Sequence, residues 1–211
     1  MNKERTAKLI SVFFARRRMK IQKIGNFALL LTYRIFYTMK LNAHFLTVSV
    51  IIILASLSRL IPHIPDFTAV SATALFGAAC YHKKITAFLV PVIILFLTDA
   101  FLGFYQGMAW VYGAFMLVVV IGRMLHKKLT FTRIIAASLV SSLTFYLVTN
   151  LGVWLSGTLY PHTASGLSAC YVAALPFLRN ETLGTLFYSV VLFGAYYMAQ
   201  RSIPALVKSK A

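Results

Sequence analysis

Long apolar segments alternate with short basic segments along the chain. Crossing the hydrocarbon core of a bilayer, about 30 Å thick, takes about 20 helical residues, so an apolar segment of that length predicts one transmembrane helix. One helix is predicted in each of the segments 41–58, 67–82, 134–178 and 182–200, although 67–82 is short, and two are predicted in 85–122, which turns at "GFYQG". The pattern therefore predicts six transmembrane helices.

A long polar loop is predicted before the last helix, from about residue 156 to 181. The segment from Trp154 to Gly184 has no charged residue before Arg179 and is rich in glycine, serine, threonine, proline and aromatic residues. Irregular backbone at membrane depth survives only against protein or a water-filled cavity. The loop is therefore interpreted either as a lid over the mouth of a binding cavity or as an ordinary re-entrant or interfacial loop.

The composition excludes a water-soluble domain. Hydrophobic residues make up 60% of the 211 residues, charged residues make up 12%, and the mean hydropathy is +0.80, whereas a soluble protein needs a more polar surface. The formal net charge of +17 favours nucleic-acid binding in a soluble chain, but here the basic residues lie between apolar segments, which indicates membrane topology. The two cysteines, Cys80 and Cys170, are too few for a disulfide scaffold.

The distribution of lysine and arginine predicts which side of the membrane each end of the chain faces, because cytoplasmic segments retain positive charge. With six helices and a cytoplasmic N-terminus, the cytoplasmic segments hold 19 of these residues. Only Arg59 and Arg179 then face outward. The bias predicts that both termini are cytoplasmic, and it supports an even number of helices.

The first 40 residues are predicted to form a basic N-terminal arm, interfacial or poorly ordered, before a six-helix domain over 41–204 and a basic cytoplasmic tail over 205–211. The first apolar run of the arm has seven residues, which is too short to span a bilayer and does not fit a conventional signal peptide. A basic helix on anionic lipid is one interpretation of the arm. A translation start at Met19 or Met39 is the other.

Two polar residues lie on the outward side of predicted helices and need a structural reason, because an unpaired polar group in the membrane is costly. Asp99 either caps the turn before Gly103 or lines an outward cavity, and Asn150 needs a hydrogen-bond partner or water. Aromatic residues gather at the same level, either as a belt at the lipid headgroups or as the wall of a cavity. The predicted cavity residues are Phe67, Asp99, Tyr105, Tyr112, Asn150, Trp154, Tyr160, His162 and Tyr171.

The second predicted helix has a face of small residues, which lets another helix approach closely. Ala69, Thr73 and Gly77 recur at every fourth position, a second small pair lies beside them, and Cys80 follows. From these residues alone, Cys80 is most simply a packing residue. No His-x-x-x-His, paired carboxylates or Cys-x-x-Cys accompany it, so a zinc or protease site has no support.

Four stretches of the chain carry a family resemblance: SRLIPHIPDFTAVSATALFGAACY, TDAFLGFY, VTNLGVWLSGTLYPHTASGLSACYVAALPF and LFYSVVLFGAYY. They resemble the BtuM family of small bacterial membrane proteins, relatives of the substrate-binding S-components of energy-coupling factor (ECF) transporters. The likeness covers roughly residues 42–200. It implies an all-α, S-component-like bundle of six helices in the bacterial inner membrane that takes up cobalamin.

The resemblance implies a role for Cys80, because a cysteine at this position in the cysteine-bearing members is the axial ligand of the cobalt in bound cobalamin. A soft thiolate suits a polarisable metal, and the charge of the metal keeps the sulfur deprotonated. Cyanocobalamin is then expected to lose its cyanide on binding, a reaction driven by Cys80. Cys170 is the rival ligand, and His63, His82 and His162 are candidate second ligands or polar contacts.

The depth of Cys80 conflicts with an outward-facing cobalamin cavity. On a straight second helix, Cys80 lies 14 residues beyond Asp66, which marks the outer boundary, and this distance is about 21 Å. Either the cavity is deep, or the helix breaks near Gly77 and raises the cysteine.

Transport is expected to draw its energy either from other proteins or from no dedicated module. Nothing in the chain resembles a Walker A loop, so any ATP hydrolysis belongs to an ECF energising module of ATPases and a transmembrane coupling subunit. An S-component-like carrier of another small vitamin or cofactor precursor is an alternative. Two other classes remain open: a membrane enzyme with Asp99 as its base and Asn150 or His162 as its partner, and an assembly protein.

Overall fold

The computed structural model describes residues 43–62, 64–157 and 159–203. Within them the chain is helical and contains no β-strand. The predictions on the N-terminal arm, the C-terminal tail and His63 lie outside the described residues. The α-helices are α1 (Ala43–Leu57), α2 (Val70–Cys80), α3 (Lys84–Leu102), α4 (Met108–Leu125), α5 (Phe131–Ser156), α6 (Ala164–Ala173) and α7 (Leu175–Ser202), and a 3₁₀ turn, Ser58–Leu60, follows α1.

Five of the described helices are long and apolar enough to cross a membrane: α1 with its 3₁₀ turn, α3, α4, α5 and α7. Large apolar side chains cover their outer surface, where Leu54 is 63% exposed, Phe101 is 83% exposed and Met124 is 75% exposed. Water disfavours such a surface, whereas lipid accepts it. The chain is therefore a multi-pass membrane protein whose described residues are helical, as its apolar pattern predicts.

The helix α2 is the most enclosed element of the bundle, and all eleven of its residues are buried. At 1.5 Å per residue it is about 16 Å long, too short to cross a bilayer by itself. It contacts α1, α3, α4, α5 and α7. A Cβ on Gly77 would lie 2.6 Å from Pro91 Cγ of α3. The predicted small-residue face thus packs against the protein's own helices.

The predicted alternative of a helix break near Gly77 does not occur. The helix α2 runs without interruption from Val70 to Cys80. The irregular backbone lies before it instead, where Asp66 has a positive φ of 60°, a conformation that aspartate tolerates better than most residues. Cys80 therefore lies at the far end of α2 from Asp66.

The long loop predicted at 156–181 is largely helical, which corrects the sequence interpretation. The helix α6 begins after Thr163, whose side chain accepts a hydrogen bond from the Gly166 N–H at 3.1 Å, an N-cap contact. The helix α7 begins at Leu175 with Pro176 in its first turn, a position that suits proline. Threonine and proline, which indicate a loop by composition, here mark the starts of helices.

The connections between helices divide the bundle into two ends. The loop end holds the connections 58–69, 103–107 and 157–163. The predicted turn forms at 103–107, with positive φ angles of 95° and 87° at its two glycines, which only glycine adopts without strain. The basic end holds the α2–α3 and α4–α5 connections and the residues Lys83, Lys84, Arg123, Lys127 and Lys128.

Candidate functional site

A cavity of about 380 Å³ lies at the basic end, beside the last turn of α2. We call it the basic-end cavity. Cys80 is in its wall and is only 4% exposed. The other lining residues come from α1, α2, α7 and the two connections at this end: His44, Ala79, His82, His126, Lys127, Leu129 and Tyr196. The cavity brings one thiol, three imidazoles and a phenol together.

In the basic-end cavity the His82 ring contacts the rings of both other histidines, His44 and His126. His44 and His82 stack with 4.6 Å between ring centroids, and His82 meets His126 edge to face at 5.8 Å. Thiolate and imidazole are good ligands for transition metals. In the part of the chain that the structure describes, no group of three or more His, Cys, Asp or Glu side chains is arranged to hold an ion. Thiol and imidazole groups therefore line this cavity without forming a ready-made metal site among the described residues.

Cys80 is held in place because the end of α2 is anchored. The last carbonyl groups of a helix lack intrahelical partners, and here the Arg123 guanidinium donates to the Tyr81 oxygen at 2.7 Å and to the Ala78 oxygen at 3.3 Å. A cation at a helix C-terminus is also favoured by the helix dipole. The buried Tyr81 hydroxyl lies 2.7 Å from that of Ser49 in α1. The thiol therefore projects from a fixed helix end.

A second cavity, of about 340 Å³, lies at the loop end beside α5, α6 and α7. We call it the loop-end cavity. Asn150, Tyr160 and Cys170 line it, together with the acidic residues Asp66 and Glu181. Two of the predicted cavity residues, Asn150 and Tyr160, therefore lie in the same cavity as Cys170, the rival candidate for the cobalt ligand. Cys80 lies at the other end of the bundle.

Glu181 is the buried carboxyl group of the loop-end cavity, and it is 5% exposed. Ser71 of α2 donates to its Oε1 at 2.5 Å, and Thr185, one turn later on α7, donates to the same oxygen at 3.0 Å. Hydroxyl donors stabilise a carboxylate that is removed from water. The contact also joins α7 to the enclosed helix α2.

Cys170 and Asn150 contact each other in the wall of the loop-end cavity. The Cys170 thiol donates to the Asn150 carbonyl oxygen at 3.6 Å, and Asn150 Nδ2 donates to the Tyr146 oxygen at 2.8 Å, which is the partner that its position inside a helix requires. Burial raises the pKa of the Cys170 thiol, which favours the protonated form over the thiolate that binds metals. The two cysteines lie in different cavities and do not form a disulfide.

Asp99 lines neither of these cavities and is the centre of a buried ion-pair cluster at the loop end. Its fully buried Oδ1 lies 2.9 Å from the Arg59 guanidinium, and Tyr112 donates to its Oδ2 at 3.0 Å. Arg59 also donates to Thr98 Oγ1 at 2.9 Å. Burial, and then the negative charge of Asp99, raise the pKa of Tyr105 in the adjoining turn. A general base must reach its substrate, so this arrangement does not support Asp99 as the base of a membrane enzyme.

Two further predicted residues, Trp154 and His162, hold the connection 157–163 against the end of α5. Trp154 Nε1 donates to the Pro161 oxygen at 3.0 Å, and His162 Nε2 lies 2.8 Å from the Trp154 oxygen. These contacts make a compact rim at the loop end. His162 is exposed and lines neither cavity.

The last two predicted residues, Tyr171 and Phe67, pack helices and connections together. The Tyr171 hydroxyl donates to the Leu147 oxygen at 2.7 Å, and its ring meets the Tyr146 ring edge to face at 5.5 Å, which joins α6 to α5. The Phe67 ring lies 5.9 Å from the Phe187 ring of α7, measured between centroids. Neither side chain is among the lining residues of the loop-end cavity.

The lining residues that the sequence analysis did not predict include one buried carboxyl group, Glu181, and two histidines, His44 and His126. Glu181 is one of only four acidic residues in the chain, and a carboxyl group inside an apolar helix is a signal that marks a site. The sequence analysis missed Glu181 because the apolar pattern assigns residue 181 to a loop rather than to a helix. His44 and His126 carry no local signal, since only the fold brings them to Cys80.

The sequence comparisons place the chain in a family without assigning an activity. Residues 39–206 match DUF6580, a family of unknown function. No curated protein and no solved structure matches the chain. The matched range includes every helix that the structure describes, and therefore both cavities. The chain belongs to the DUF6580 family.

Proposed function

We propose that this membrane protein is a cobalamin carrier in which the thiolate of Cys80 is the axial ligand of the cobalt. The observation that carries the proposal is the position of Cys80, a nearly buried thiol in a cavity wall, on an anchored helix end, with imidazole rings around it. The stretches that resemble the BtuM family supply the identity of the ligand.

A single cysteine is sufficient for this role. A cobalt ion in a corrin ring brings its equatorial nitrogen ligands with it, so the chain needs to add only an axial ligand. This requirement fits a cavity that offers one thiol but no ready group of three metal-binding side chains among the described residues. The charge of the metal favours the thiolate even in a buried position.

The carrier is proposed to cross the bacterial inner membrane six times, with both termini in the cytoplasm. Five crossings are the long helices, and the sixth is α2 with the connection before it. Because protein rather than lipid surrounds α2, this crossing does not need a helix of full bilayer length. The positive-inside rule favours the basic end as the cytoplasmic end. In this orientation Cys80 faces the cytoplasm and the loop-end cavity faces outward.

Uptake through Cys80 then requires a rearrangement, because the outward-facing cobalamin cavity expected from the sequence differs from the described conformation. Cys80 lies on the proposed release side. The resemblance to S-components implies a rotation of the whole helical body within the membrane. The anchoring of α2 by Arg123 favours such a movement over a displacement of Cys80 alone.

Cobalamin is larger than the basic-end cavity of about 380 Å³, so binding also requires that the walls separate. The enclosed α2 cannot move without disturbing five helices. The α4–α5 connection has exposed residues in the wall, Lys127 and Leu129, and is the side expected to open.

Binding is proposed to remove the cyanide of cyanocobalamin. As the Cys80 sulfur bonds to Co(III), the bond between cobalt and the cyanide carbon breaks, and the cyanide leaves with the electron pair. The cyanide takes up the proton that the thiol has lost, which gives HCN. The cobalt remains Co(III), so the exchange needs no reductant.

The energy for transport comes either from an ECF energising module or from no such module. The small-residue face of α2 is covered by the protein's own helices, so a coupling subunit would have to contact another face. Cobalamin uptake by this protein in a strain that lacks every ECF module would mean that it works alone.

The first test is the visible absorption spectrum of the purified protein after incubation with cyanocobalamin and gel filtration. We expect the wild type to retain a shifted corrin spectrum and Cys80→Ser to lose it. Cys170→Ser is the matched control, because it removes the other buried thiol, and it should retain the colour. A colourless wild type would contradict the proposal. Loss of colour in Cys170→Ser alone would assign the cobalt to the rival thiol.

A further inference from the structure

The loop-end cavity has a chemistry that the proposed cobalamin site does not use. It is well separated from Cys80, because Glu181 in its wall and Tyr196 in the wall of the basic-end cavity are both on α7, and the 15 residues between their positions span about 22 Å. We propose that the loop-end cavity binds a compact organic cation, such as a protonated primary amine with an aromatic body.

Acidic groups are concentrated at this cavity in a strongly basic protein. The chain has four acidic residues against 21 basic ones, and two of the four, Asp66 and Glu181, line the cavity. No lysine, arginine or histidine is among its lining residues in the described ranges. Arg179, a basic neighbour of Glu181 in the sequence, is exposed. The lining therefore offers no positive group to balance Glu181, which favours a positively charged occupant.

Glu181 is the group expected to contact the cation. Both of its hydroxyl donors, Ser71 and Thr185, bond to Oε1, and Oε2 accepts no hydrogen bond from the residues that the structure describes. A carboxylate within a membrane-embedded helix is costly unless it is paired, and such residues mark functional sites. An ammonium group in the cavity supplies a charged donor to Oε2.

Aromatic rings supply the second part of an organic-cation site. Phe145, Tyr146, Tyr160 and Phe177 line the cavity with Glu181. The face of an aromatic ring attracts an ammonium group, and the attraction is stronger where water is excluded. The volume of about 340 Å³ is near the lower limit for small-molecule pockets. The cavity as it stands in the described conformation therefore fits a compact amine.

Three probes of similar size and different charge test this inference: benzylammonium, benzyl alcohol and benzoate. Their binding to the full chain in detergent is measured by isothermal titration calorimetry, with protein-free micelles as the blank. We expect benzylammonium to bind, and the neutral and anionic probes to bind at least about tenfold more weakly, because only the ammonium pairs with Glu181. Equal affinity for benzylammonium and benzyl alcohol would overturn the inference.

Two variants locate the binding. Glu181→Gln keeps the shape of the side chain and removes its charge, so we expect it to weaken benzylammonium binding at least about tenfold; unchanged affinity would refute the role of Glu181. Ala173→Trp places a large side chain at the cavity wall and leaves the Glu181 carboxylate in place. We expect it to weaken benzylammonium binding, and it tests the location of the site even if Glu181→Gln does not fold. Wild-type affinity in Ala173→Trp would put the probe outside the cavity and overturn the inference.

The cobalamin proposal and the organic-cation proposal fail independently. Cys80→Ser leaves the loop-end cavity unchanged, so it should bind benzylammonium with wild-type affinity even as it loses cobalamin. Glu181→Gln should retain the corrin spectrum of the wild type. If the wild type binds benzylammonium but not cobalamin, the organic-cation inference stands and the cobalamin proposal is wrong.

Discussion

Gly122 lies where α4 packs tightly against the enclosed helix α2. A Cβ at this position would lie 2.6 Å from the Leu75 carbonyl oxygen and 2.7 Å from the Ala78 Cβ. Neither atom is at the end of a flexible side chain, so a methyl group fits only if the two helices separate. Gly113, on the same helix, has no atom within 4 Å of the equivalent position.

We expect Gly122→Ala to lower the free energy of unfolding by about 1–3 kcal/mol, because it overpacks the contact between helices. Gly113→Ala is the matched control and should leave stability unchanged or raise it by up to about 1 kcal/mol. Thermal unfolding of both variants in the same detergent, followed by circular dichroism, checks the difference. Equal stability of the two proteins would contradict the close packing of α2 and α4.

The sequence predicts the small residues through which α2 packs against other helices, but it does not predict which residues surround Cys80. Small residues at every fourth position predict a close helix contact because the spacing along one helix determines which side chains share a face. The approach of His44 and His126 to Cys80 depends on where α1 and α4 lie relative to α2. No local pattern contains that information.

The ion pair between Arg59 and Asp99 joins three elements at the loop end. Arg59 follows α1, Asp99 is in the last turn of α3, and Tyr112 is in the first turns of α4. The two charged side chains are 12% and 0% exposed, so water screens them little. Removing one partner of such a pair leaves the other charge without compensation.

Asp99→Asn is expected to lower the free energy of unfolding by about 3–5 kcal/mol. Tyr112→Phe removes one hydrogen bond to the same carboxylate and should cost about 1.5 kcal/mol. The double variant Arg59→Gln/Asp99→Asn should be less destabilised than the sum of its two single variants, because it leaves no lone charge. Denaturant unfolding in detergent compares the wild type with these four variants, and strictly additive costs for the Arg59 and Asp99 substitutions would argue against a direct ion pair.

The long helices are predictable from the sequence, and their ends are less so. Bilayer thickness sets a minimum length for a helix in lipid, and this constraint holds for α1, α3, α4, α5 and α7. The starts of α6 and α7 depend instead on single residues, Thr163 and Pro176. The helix α2 is surrounded by protein, so lipid thickness does not set its length, and it is shorter than the predicted segment 67–82.

At the scale of the whole molecule, the two ends of the bundle should face opposite sides of the membrane. In a background without Cys80 and Cys170, a single cysteine replaces Phe104 at the loop end, which is 68% exposed, or Lys84 at the basic end, which is also exposed. A membrane-impermeant maleimide applied to intact cells should label Phe104→Cys. It should label Lys84→Cys only after the membrane is permeabilised. The reverse pattern would put the basic end outside.

The enclosure of α2 also bears on how the protein is made. A helix of eleven residues is shorter than the roughly 17–25 apolar residues of a transmembrane segment, and α4, α5 and α7, which enclose it, are synthesised after it. Ribosome-bound chains that end before α7 therefore contain an α2 without its full set of neighbours. The helix gains its full set of neighbours only once α7 has been made, so its packing depends on segments synthesised more than 90 residues later rather than on the helix next to it.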